Sequence, residues 1–73
     1  MVSVPLVSGQ EVVRAFERLG WEIARQRGSH IIMQKITPDG SVTVPVPNHR
    51  TVRAGTLLAI IRQSGVAKEH FLR

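Results

Sequence analysis

Two turn signals, Gly28-Ser29 and Thr37-Pro38-Asp39-Gly40, enclose the short β-rich run His30–Ile36. A chain that must reverse at both ends of so short a segment has its neighbours antiparallel to it. In the second turn proline presets φ and glycine closes the reversal. Trp21–Arg27 precedes the run and reads as a strand, with Trp21 and Ile23 on one face and Glu22 and Gln26 on the other. Val42-Thr43-Val44-Pro45-Val46 follows and alternates as a third strand. Pro45 has no N–H for a ladder, so this strand belongs at an edge. The spacing therefore predicts a three-stranded antiparallel meander.

Helices flank it. Ser8-Gly9-Gln10-Glu11 is a capping box, in which the serine caps the helix and the glutamate reaches back to the serine amide. Val12, Val13, Phe16 and Leu19 recur at helical spacing until Gly20 stops the helix, predicting a helix over about residues 9–19. A second helix is expected from about Ala54, turning Leu57, Leu58, Ile60 and Ile61 toward the sheet and ending at Gly65. Beyond it, Phe71 and Leu72 are expected to pack back on the core. The order α-β-β-β-α makes an α+β domain of two layers, both helices on one sheet face, spanning residues 1–73 as one unit.

A chain of 73 residues buries only a modest core, and with no cysteine it has neither disulfide staples nor a thiolate zinc site. That favours a reducing cytoplasm. No signal peptide or apolar run of membrane-spanning length is visible, so no membrane association is expected.

Antiparallel pairing predicts where the polar residues meet. The Gly28-Ser29 turn sets Arg27 beside His30 and Arg25 beside Ile32, and a turn centred near Asp39 sets His30 opposite Asn48, to within a residue or two. His49, Arg50 and Arg53 then fall at the same end as His30, together with the N-terminus of the second helix, whose free amides suit a phosphate. Ten Lys and Arg stand against five Asp and Glu, and arginine far outnumbers lysine. Arginine forks bind phosphate bidentately, so the polyanion expected is nucleic acid first and an acidic protein second. The three aromatics, Phe16, Trp21 and Phe71, sit at positions expected to be buried, which argues against a base-stacking platform.

The chemistry that fits such a rim is RNA phosphodiester cleavage. An imidazole near neutrality takes the proton of a 2′-hydroxyl as that oxygen attacks the adjacent phosphate, while arginines or helix amides hold the phosphoryl oxygens. The carboxylates are scattered, and His30, His49 and His70 lack ligand spacing, so no metal or other cofactor is expected. Ser29 and His30 are adjacent in sequence, a poor arrangement for serine nucleophile chemistry.

Gly28-Ser29-His30 at a strand start, Val44-Pro45-Val46 with His49 after it, and Gly55-Thr56-Leu57 opening the last helix resemble the HicA family of bacterial and archaeal toxins. Arg62-Gln63-Ser64-Gly65-Val66 and Glu69-His70-Phe71-Leu72 resemble its closing segment, so the likeness runs from about Ser8 to Leu72. The resemblance implies a double-stranded-RNA-binding-domain-like fold and an mRNA-cleaving endonuclease. It also implies a toxin that is a monomer when alone and is silenced by a HicB-like antitoxin covering its active site. The family's catalytic histidine falls on His30, and Arg25, Arg27, Ser29, His49, Arg50 and Arg53 are the candidate substrate-binding residues around it. The chain departs from the family pattern at Ile31-Ile32, at Pro47-Asn48 before His49, and in having no acid in Thr51-Val52-Arg53-Ala54. The last departure makes the rim more cationic. Two other readings stay open: an RNA-binding module that does not cut, and a protein-interaction domain whose rim meets only an acidic partner.

Overall fold

A computed structural model describes residues 7–71. Helix α1 (Gly9–Arg18) is followed by strands β1 (Glu22–Arg27), β2 (His30–Thr37) and β3 (Gly40–Pro47), then helix α2 (Ala54–Ser64) and a final 3-10 turn, Lys68–Phe71. The strands form one antiparallel sheet in the order β1-β2-β3. The predicted α-β-β-β-α order and α+β class are those observed, and the arrangement fits the double-stranded-RNA-binding-domain-like pattern.

The capping box forms in both directions: the Glu11 amide donates to Ser8 Oγ at 3.1 Å, and the Ser8 amide donates to Glu11 Oε1 at 3.1 Å. At the other end of α1 the Gly20 and Trp21 amides donate to the carbonyls of Glu17 and Phe16, and Lys35 Nζ donates to the carbonyl of Leu19 at 3.1 Å, a cation at the helix terminus. Gly65 ends α2 in the left-handed conformation, with φ 76.

One core joins the layers. Ile31, Met33, Val44 and Val46 turn one sheet face to the buried side chains of both helices, Val12, Val13 and Phe16 from α1 and Leu57, Ile60 and Ile61 from α2. Phe16 is its hub, with Trp21 at 5.0 Å in an edge-to-face contact and Phe71 at 5.2 Å. All three aromatics are buried, as expected. Leu58 is not: it is half exposed, because α2 meets the sheet along a narrower arc than its run of aliphatic residues suggests. Leu72 lies outside the described residues.

The second strand departs least from expectation, running one residue further, to Thr37. The third is longer than predicted, and its order position makes it an edge, where Pro45 and Pro47 cost no ladder bonds. The first differs most. Ile23 pairs with Met33 and Arg25 with Ile32, so Ala24 is an extra residue, a β-bulge. Strict alternation fails there: Glu22 remains opposite Gln34 on the outer face, but Gln26 pairs with Ile31 on the helix side. Among the described residues no helix is long and apolar enough to cross a membrane.

Candidate nucleic-acid interface

Facing residues of paired strands point to the same side of a sheet. Because Ile31, Met33, Val44 and Val46 point toward the helices, their strand neighbours His30, Ile32, Pro45 and Pro47 point to the opposite face, which carries no helix among the described residues. The bulge at Ala24 brings Arg25 and Arg27 to the same side. That face is read in three rows across the strands: Arg27–His30–Pro47, then Arg25–Ile32–Pro45, then Glu22–Gln34–Thr43. The first two rows contain no carboxylate. A shallow depression there is lined by Arg27, Gly28, His30, Ile32 and Pro45.

Local sequence explains why His30 opens this face. Gly28 takes φ 58, the left-handed value that a glycine-first hairpin turn requires, and His30 is the first residue of β2. Gln26 Nε2 donates to the Gly28 carbonyl at 3.2 Å, and the Asn48 amide donates to the Ser29 carbonyl at 2.6 Å, so the turn is tied to the end of β3. His30 stands opposite Pro47, one residue from the expected Asn48. Among the described residues, no ion pair or hydrogen bond engages the side chains of Arg25, Arg27 or His30. The three are exposed, which leaves imidazole and guanidinium groups open to a ligand.

The other predicted residues share this end of the sheet but lie with a different layer. The His49 carbonyl accepts from the first amide of α1, Gly9 N–H, at 2.9 Å, and Val52 pairs with Val7, carrying the loop to the helical side. Arg50 is exposed in that loop, and Arg53 is the N-cap residue of α2, an N-terminus with no side-chain cap and no acid in its first turn. The predicted rim is thus an edge between two surfaces: Arg25, Arg27 and His30 on the bare sheet face, and His49, Arg50 and Arg53 around the helix termini. Ser29 sits in the turn beside His30 and is exposed.

Three features of this end escape the sequence reading. Ile32 and Pro45 pair across strands to form an apolar floor beside His30. Gln10 Nε2 donates to Asn48 Oδ1 at 2.9 Å, joining α1 to the loop after β3. Gly9 packs its α-carbon against the backbone of Pro47 and Asn48, leaving no room for a side chain. The proline pair at alternate positions was the one local signal for the floor. A further cleft, between α1 and the final 3-10 turn, is lined by Arg14, Arg18, His70 and Phe71 among others, and none of the predicted site residues borders it. Among the described residues no three His, Cys, Asp or Glu side chains gather as metal ligands do.

A family model described as the HicA toxin of bacterial toxin-antitoxin matches residues 9–66 of the chain. No curated protein and no solved structure matches it. The matched span takes in α1, the whole sheet and α2, and begins one residue after the N-cap Ser8.

Proposed function

The chain belongs to the HicA toxin family, and from that premise we propose that it is the toxin of a toxin–antitoxin pair, an endoribonuclease that cuts mRNA with His30 as general acid or base. In the step proposed, the His30 imidazole takes the proton of a ribose 2′-hydroxyl while the 2′-oxygen bonds to the adjacent phosphorus. The bond from phosphorus to the 5′-oxygen of the next nucleotide breaks, and that oxygen takes a proton from water as it leaves, giving a 2′,3′-cyclic phosphate and a 5′-hydroxyl. Arg27 and Arg25 neutralise the phosphoryl oxygens, whose charge grows in the transition state. Ser29, His49, Arg50 and Arg53 bind the flanking backbone around the edge. The reaction uses no metal or other cofactor in this reading.

The observation that supports it most is the row Arg27–His30 beside Arg25, on a face that no helix covers among the described residues and whose first two rows hold no carboxylate. A general base contributes about 10²–10⁴-fold to rate. The same exposed cationic face suits a HicB-like antitoxin with an acidic surface, which would silence the toxin by covering it. Residues 1–73 act as one domain in this reading, and the cytoplasm is where its RNA and its antitoxin are met.

Incubating the purified chain with RNA in EDTA tests the proposal. Cleavage ending in 2′,3′-cyclic phosphates is expected from the parent and not from His30→Ala at unchanged unfolding midpoint. An alanine variant as active as its parent would refute the role of His30. Salt-sensitive RNA binding with no cut by the parent would instead favour a non-catalytic RNA-binding module.

A further inference from the structure

The bare sheet face has a second property beside its charge. Ile32 stands next to His30 on β2 and faces Pro45 across the β2–β3 pair, with Arg25 on its other side. Both apolar side chains border the same depression as Arg27 and His30. An aliphatic pair left on a cationic surface is out of place if charge alone is to be met. Any aromatic alternative is missing, since Phe16, Trp21 and Phe71 are all buried in the core.

We propose that the Ile32–Pro45 shelf seats an unpaired nucleobase adjoining the phosphate held by Arg27 and His30, so that the substrate is single-stranded RNA. The inference rests on the ribonuclease reading for which phosphate is held there. Alternate residues of one strand stand about 6.7 Å apart, so Arg27 and Arg25 present two cations spaced much like successive phosphates of an extended strand. A base between those phosphates reaches inward across β2, toward Ile32 and Pro45. A base inside a duplex has both flat faces covered by its neighbours, and a shelf flush with a sheet reaches only a base that is unstacked. The contact is aliphatic and carries no hydrogen-bonding group from either side chain, so it holds any of the four bases. Its role is to fix the ribose against His30, and the sequence preference it gives is weak.

The test is the affinity of the full chain for a short 2′-O-methyl oligouridylate, whose blocked 2′-oxygen cannot attack, and for an abasic strand of the same length and charge. The parent is expected to bind the base-bearing strand about three- to tenfold more tightly, toward the low end of what stacking on an aromatic side chain gives per base. Ile32→Ala should bring the two affinities within about a factor of two, and Ile32→Leu should restore the difference. No binding by the parent, or equal affinity for both strands, overturns the shelf; equal affinity is what a face built only for charge, such as one for an acidic protein, would show. A base preference that survives unchanged in Ile32→Ala overturns it too. Both strands are uncleavable, so the outcome is independent of turnover. A parent that cuts ordinary RNA without base preference keeps the nuclease and loses the shelf. One with base preference that leaves RNA intact does the reverse.

Discussion

The two faces of the sheet are made from alternate residues of the same strands, and they share almost nothing in chemistry. On the covered face Ile31, Met33, Val44 and Val46 are buried against two helices. One residue along, His30, Ile32, Pro45 and Pro47 face outward with Arg25 and Arg27 beside them. Burial on the first face holds the domain together. The second is released from that duty and can carry charge and a titratable ring. Substitutions on the two faces should therefore separate stability from activity.

The largest effect is expected at His30. Its replacement by alanine should lower RNA cleavage by about 10²–10⁴-fold, and because the ring is exposed it should move unfolding free energy by no more than about 0.5 kcal/mol. Cleavage assays beside urea titrations give both numbers; a large loss of stability would mean that His30 belongs to the fold. Met33→Ala is the mirror case. It empties a fully buried site and should cost about 2–5 kcal/mol in the same titration, with RNA affinity kept wherever the chain remains folded.

Gly9→Ala probes the joint between the faces. The added methyl meets the backbone of Pro47 and Asn48, which cannot swing aside as a side chain does, so a loss of about 1–3 kcal/mol is expected. If the midpoint does not move, α1 is held less closely to β3 than its hydrogen bonds with the loop imply. The smallest change is predicted for Arg25→Ala and Arg27→Ala taken singly. Stability should be unaltered, and the slope of log affinity against log salt should fall by about 0.7 for each phosphate of a single strand that is no longer neutralised. An unchanged slope would take these arginines out of the phosphate path.

Much of this is legible in the sequence. The capping box at Ser8 and Glu11, the stop at Gly65 and the hairpin at Gly28-Ser29 each rest on local chemistry, and each is found. The proline in β3 announces an edge strand for the same reason. The register of β2 against β3 is legible to within one residue because a turn of fixed length leaves little freedom. Leu58 is misplaced by the same kind of reading, because helical periodicity defines a stripe and not the width of what covers it. The edge around His30 is legible as an end of the sheet. Its division into a sheet face and a helix-terminus surface is not, since register places residues along a strand and says little about which layer a following loop joins.

The sequence by itself determined the order of elements, the antiparallel meander, the burial of the three aromatics and the gathering of cations at one sheet end, all consequences of turns, caps and apolar spacing. Only the tertiary structure decided that Arg25 and Arg27 share the bare face with His30 while Trp21 and Ile23, of the same parity, turn to the other side. Trp21, Ile23, Arg25 and Arg27 share one parity, so an unbroken β1 would send all four toward the helices. Trp21 is held in the core against Phe16, and a guanidinium on the covered face would lose its water. The extra residue at Ala24 lets both demands be met, turning the second half of the strand over. That choice is made by packing of Trp21 against Phe16 of α1, a tertiary contact that strand periodicity within β1 does not encode.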